Sequence, residues 1–187
     1  MNMKKIISFF IVACCAMCAT AAKVVWQIGV ADNSGTELAL GPSEYKKFLA
    51  HDFGYEDRYF LVGTSVDKND FPYVLPGPDD TWGGTWSTSG WRTHDANILF
   101  GIKKLPKHGK WKLVVDLVDA NPSRSVVKVM VNSAEKKFEI KGHSKGVLEG
   151  NLQDAKEQIL EFPISANDLK KGGNMVTVSV LEGGWIV

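Results

Sequence analysis

Apolar and polar positions alternate with a period of two along most of this chain. Trp111, Leu113, Val115 and Leu117 interleave with Lys112, Val114, Asp116 and Val118. Val127, Val129 and Val131 interleave with Lys128, Met130 and Asn132, and Val176, Val178 and Val180 with Thr177, Ser179 and Leu181. Ile98, Phe100 and Ile102 repeat the pattern. A period of two puts successive side chains on opposite faces of a strand. Each run therefore has one core face and one more polar face, as in an antiparallel sandwich. Further strands are expected at Val24–Gly29, Arg58–Thr64, Lys136–Lys141 and Gln158–Ile164. That makes about eight, the number of a jelly roll.

Helix is scarce. Pro42 to Leu49 fits one short helix with Ser43 as its cap, and Asn167 to Gly173 fits a single turn closed by glycine. The segment from Asp70 to His94 keeps neither period. It carries Pro72, Pro76 and Pro78 and the tryptophans Trp82, Trp86 and Trp91. Irregular segments of this length in a compact domain are usually functional.

Composition changes this picture little. The chain has 187 residues, enough for one domain with a proper core. The formal net charge is +1, with 22 basic and 21 acidic residues. No charge excess points to nucleic acid or an anionic membrane surface. The start is more informative. Lys4 and Lys5 precede an apolar run from Ile6 to Cys18, followed by Ala19-Thr20-Ala21. This order reads as a secretory signal over residues 1–21, ahead of a domain over 22–187. The run is too short for a stable transmembrane anchor. All three cysteines, Cys14, Cys15 and Cys18, fall inside it. Disulfides are therefore not expected in the exported domain, which is placed outside the cytoplasm, secreted or periplasmic. Ile11-Val12-Ala13-Cys14 also loosely resembles a lipoprotein box, with anchoring at Cys14 as the minor alternative.

Candidate chemistry concentrates in the irregular segment. Tyr73, Trp82, Trp86 and Trp91 stand near Asp79, Asp80, Arg92 and His94. Carbohydrate binding needs such a set, because aromatic rings pack on the C–H face of a pyranose and its hydroxyls take charged or amide partners. The competing reading is that some tryptophans plug the end of the sandwich. Asp32, Asn33 and Glu37 form an oxygen-rich turn that is a weak candidate for structural calcium. An Asx-turn is the plainer reading, and no cofactor is otherwise expected. Catalysis is poorly supported. There is no G-x-S-x-G elbow, and His51, His94, His108 and His143 are scattered without metal-binding spacing. Asp79 and Asp80 are adjacent, and neighbours on one loop rarely flank a glycosidic bond. Asp116 and Asp119, on a strand and at its end, read as solvated surface.

Trp26-Gln27-Ile28-Gly29 with Asp32 resembles the start of the third, carbohydrate-binding-type jelly-roll domain of rhamnogalacturonan lyases. Phe162-Pro163-Ile164, then Leu169, Lys170, Gly172, Gly173 and Asn174, then Val176 to Val180, is similar to its closing strands. Tyr73 to His94 looks more like a variant found in secreted polysaccharide-degrading proteins of gut Bacteroidetes. The resemblance implies a galactose-binding-like jelly-roll β-sandwich with a role in complex-glycan breakdown. The catalytic Lys and His of those lyases lie in a different domain. Such domains usually continue past Glu182-Gly183-Gly184-Trp185, whereas this chain stops at Val187, so a last strand is expected to be missing and its neighbour to have an open edge.

The leading expectation is a non-catalytic module that holds polysaccharide, partnered by a catalytic domain of a parent protein. One alternative is a polysaccharide lyase or glycosidase fragment, for which Arg92 and His94 are the only close pair on a suitable loop. The other is an interdomain β-sandwich that never touches sugar.

Overall fold

The computed structural model describes residues 24–51, 53, 57–80, 93–105 and 110–187. The expected signal, Cys14, His108 and the positions Trp82, Trp86, Trp91 and Arg92 lie outside the described residues. Seven strands follow in chain order: β1 (Arg58–Leu61), β2 (Asp95–Ile102), β3 (Trp111–Leu117), β4 (Arg124–Val131), β5 (Ala134–Lys141), β6 (Gln158–Ile164) and β7 (Gly172–Glu182). One short helix, α1 (Asp67–Asp70), lies between β1 and β2. Tyr45–His51, Lys145–Glu149, Leu152–Asp154 and Ala166–Asp168 are 3₁₀ turns. Among the described residues, no helix is long and apolar enough to cross a membrane.

The strands form the all-β sandwich that the alternation predicts. One sheet has the order β1-β2-β7-β4-β5, and β3 pairs with β6 in a second layer. Ile98 and Phe100 of β2, Val127 and Val129 of β4 and Val176, Val178 and Val180 of β7 face Leu117, Leu160 and Phe162 of the second layer in one core. Burying one such side chain stabilises by about 1.5–3 kcal/mol, so this layer contact carries most of the fold. β7 is paired on both edges, with β2 and with β4. Its central position buries even its alternate polar residues, Thr177 and Ser179.

The pairing is not antiparallel throughout. β1 runs parallel to β2, with Arg58 opposite Ala96 and Leu61 opposite Leu99. A parallel pair needs a long crossover, which the segment carrying α1 provides. β4 and β5 join through Asn132 and Ser133, with Val131 opposite Ala134. Asn132 takes φ 54°, a left-handed conformation that asparagine tolerates. Its side chain then donates to the Asp168 carbonyl (2.6 Å) and accepts from the Met175 N–H (3.1 Å), tying this turn to the start of β7.

Two expectations are corrected here. Val24–Gly29 forms no strand. Trp26 instead packs on Phe100 with ring centroids 5.3 Å apart, and the Gly29 N–H donates to Asp67 Oδ2 at 2.8 Å. Side-chain anchoring replaces a ladder there. Ser43 does not cap a helix from Pro42. It sits at φ 73°, and the 3₁₀ turn begins at Tyr45. At the other end of the described chain, Trp185, Ile186 and Val187 are 2%, 4% and 8% exposed. Ile186 exchanges hydrogen bonds with Leu75 (2.9 and 3.0 Å), and Val187 with Asp119 (3.1 and 3.4 Å). Ile186 thus bridges Leu75 on one side and Ala120 on the other.

Candidate functional site

At one end of the sandwich, five segments converge on a recess of about 440 Å³ lined by Tyr45, Lys46, Asp80, Asn121, Lys145, Leu148, Glu149 and Trp185. Local backbone geometry explains the convergence. The turn carrying Gly77 approaches the Gly183–Gly184 turn so closely that a β-carbon on Gly77 would lie 2.0 Å from the Gly184 carbonyl oxygen. Only glycine allows this approach. The Asp79 N–H then donates to the Gly183 carbonyl at 3.1 Å, and the Asp80 N–H to the Gly77 carbonyl at 3.1 Å. Asp80 is thereby held at the wall of the recess. Asn121 is fixed from the second layer: its N–H donates to the Trp185 carbonyl at 2.9 Å, and its Oδ1 accepts from the Ser123 N–H at 2.9 Å. Lys145 and Glu149 begin and end a 3₁₀ turn capped by the Ser144 side chain, which accepts the Gly146 N–H.

Beneath the recess lies a second buried cluster of Tyr73, Val74, Val147, Leu148, Trp185 and Val187. Polar groups above an apolar floor are the usual make-up of a small-ligand site. Asp80 is its most perturbed group. Burial pushes its carboxyl up to about 6, with the Asp79 charge adding to the rise, while a hydrogen bond from the Gly77 backbone and the Lys145 charge oppose it. Asp80 Oδ2 is shielded from solvent and has no hydrogen-bond partner among the described residues. A buried acceptor without a donor costs about 1–3 kcal/mol, a cost that a ligand hydroxyl in the recess would remove.

A family model for the CBM-like domain III of polysaccharide lyase family 4 matches residues 24–186. The chain belongs to this family. No curated protein matches it. Among solved structures, it is similar to a family GH115 4-O-methyl-α-glucuronidase with specificity for decorated arabinogalactans, at 16% identity and a TM-score of 0.32. That likeness covers 49% of this chain, which spans 12% of the glucuronidase.

In this CBM-like domain III, the residues singled out from the sequence separate. Asp80 enters the recess, and Asp79 beside it is exposed. Tyr73 does not face a ligand. It is 2% exposed, its ring fills the space left by Gly35 and Gly41, and its hydroxyl reaches the Val147 carbonyl at 3.5 Å. His94 is 1% exposed, at the entry to β2. Both are interior residues, at the two ends of the irregular segment. Asp119, read as solvated surface, is fully buried; its carboxylate accepts the N–H groups of Ala120 (2.7 Å), His143 (2.9 Å) and Ser144 (3.2 Å).

Asp32 and Glu37 each hold nearby groups of their own loop. Asp32 Oδ1 accepts from the Ser34 N–H (3.0 Å) and hydroxyl (2.7 Å), an Asx-turn, and Glu37 Oε1 accepts the Val30 N–H at 2.5 Å. Among the described residues, no group of three or more His, Cys, Asp or Glu could hold a metal ion. Asn121, Lys145 and Glu149 were not singled out from the sequence, which gives no signal that these distant segments meet.

Proposed function

We propose that this domain is a non-catalytic carbohydrate-binding module that holds a polysaccharide, pectin- or rhamnogalacturonan-like, close to a degrading enzyme. The observation that carries this reading is the Asp80 carboxylate, with an oxygen that has no partner among the described residues, in a recess shared with Asn121 and Lys145. A carboxylate acceptor, an amide and an ammonium over an apolar floor match the hydroxyls and ring faces of a sugar. Membership of the CBM-like family of polysaccharide lyase family 4 supports the same reading. Trp82, Trp86, Trp91 and Arg92 follow Asp80 in sequence and are proposed to add stacking and polar contacts to the bound chain. Export is proposed from the order of Lys4-Lys5, apolar run and Ala19-Thr20-Ala21.

Affinity electrophoresis against a panel of plant and host polysaccharides tests the function. Retardation on at least one glycan, weakened by Lys145→Ala, supports it. Unaltered migration on every glycan contradicts it.

A further inference from the structure

The larger sheet has a second face, turned away from the core, and its residues are arranged by register. Along β2 and β7, Asp95 stands opposite Ser179, Asn97 opposite Thr177, Leu99 opposite Met175, and Gly101 opposite Gly173. The alternate residues Ala96, Ile98, Phe100 and Ile102 are in the core, so these four pairs share the outer face. On one flank β1 places Tyr59 beside Asn97 and Leu61 beside Leu99. On the other, β4 places Met130 beside Thr177 and Lys128 beside Ser179. The pairs span about 20 Å along the strands, at about 3.4 Å per residue.

This strip has the features of a ligand track. Tyr59 is 63% exposed, and Leu61 and Met175 are exposed beside it. An exposed aromatic next to apolar side chains suits the C–H face of a sugar ring. The floor is polar and rigid. Thr177 donates its hydroxyl to Asn97 Oδ1 at 2.7 Å, and Ser179 donates to Asp95. Asn97 is only 6% exposed, yet its amide NH₂ makes no hydrogen bond among the described residues, leaving a fixed donor in the floor.

At the far end the strip loses its side chains. Gly101 and Gly173 face each other with Gly172 beside them, and a β-carbon on any of the three would meet nothing within 4 Å. Glycine in the interior of paired strands weakens a sheet and often marks the close approach of a ligand. With Ile102, Lys103 and Lys171, Gly101 and Gly172 line an open depression of about 560 Å³, and Gly173 stands opposite Gly101. Both lysines are exposed, and neither makes an ion pair among the described residues.

We infer that this face is a second, separate binding track for a linear oligosaccharide, with Tyr59 as stacking platform, Asn97 as floor donor and a carboxylate-bearing sugar seated over Gly101 and Gly173 between Lys103 and Lys171. The inference rests on the carbohydrate-binding reading but uses none of the residues of the Asp80 recess.

The test is titration calorimetry with tetragalacturonate and with its methyl-esterified form, which keeps the chain and removes the charge. Tyr59→Ala and Gly173→Val should each weaken tetragalacturonate binding at least tenfold, with melting temperatures close to the parent's. The double variant K103A/K171A should bind the two forms equally, where the parent prefers the charged one. Unchanged affinity in Tyr59→Ala and Gly173→Val overturns the track. In that case loss confined to Lys145→Ala leaves the recess as the site, whereas a parent that binds neither probe nor any glycan of the panel overturns both.

Discussion

Gly142 lies so close to Ala120 that a β-carbon on it would sit 1.4 Å from the Ala120 carbonyl oxygen. The Gly142 N–H donates to the Asn121 carbonyl at 3.0 Å, and one residue further on His143 begins the set of N–H groups that close on the Asp119 carboxylate. This seam locks the end of β5 onto the segment after β3. It also holds Asn121 and the turn bearing Lys145 in place, so the recess depends on it.

Gly142→Ala should therefore destabilise the domain by at least about 3 kcal/mol, since backbone must move to admit the methyl group. For a chain of this size the melting temperature should fall by roughly 6–12 °C. Asp119→Ala should be comparable or worse. It leaves three backbone donors without their acceptor, at about 1–3 kcal/mol each, against a typical total stability of about 5–15 kcal/mol. Urea unfolding followed by tryptophan fluorescence measures both, and a midpoint unchanged by either substitution would show that the seam does not matter.

Asp80 predicts a pH dependence. Its carboxyl is raised from 3.8 to about 6 in the folded domain, so between these values the folded state holds a proton that the unfolded chain has released. Its contribution to stability is greatest below about pH 4, declines as pH rises to about 6, and is flat above. Asp80→Asn should abolish that decline, becoming more stable relative to the parent over the same window. Ligand affinity should run the other way, strengthening through pH 6 as Asp80 ionises and becomes a better acceptor. Thermal melts and calorimetry at pH 4.5 and 7.5 compare the two trends.

The tryptophans of the irregular segment give a separate expectation. Replacing Trp82, Trp86 or Trp91 by alanine should cost on the order of 1–3 kcal/mol of binding at whichever positions stack on sugar, with the cooperative unfolding transition retained. Three variants that all unfold would instead make the tryptophans part of the core.

The alternation from Trp111 onward made β3 to β7 legible in the sequence, because one face of each is buried in the sandwich and a period of two is what that burial demands. The parallel pairing of β1 was not legible. Register between Tyr59 and Asn97 is set by a long connection, and nothing local encodes it. Asp119 misled for a similar reason: an acidic residue after Leu117-Val118 looks like a strand running into solvent. Its partners His143 and Ser144 lie across the fold, and only the Gly142 approach brings them near. Tyr73 was grouped with the tryptophans by proximity in sequence, yet Gly35 and Gly41, far earlier in the chain, open the slot that buries it. The irregular segment after Asp70 points to Asp80, while Asn121, Lys145 and Glu149 carry no sequence signal because their meeting is purely tertiary.

The central claim is that the domain holds polysaccharide at the Asp80 recess. Backbone amide chemical-shift mapping with the best-retained glycan of the panel tests it most directly. The account predicts perturbations at Asp80, Asn121, Lys145 and Glu149, with the amides of Val127 and Val129 in the core unmoved. A glycan that binds while leaving those four amides unshifted would contradict it.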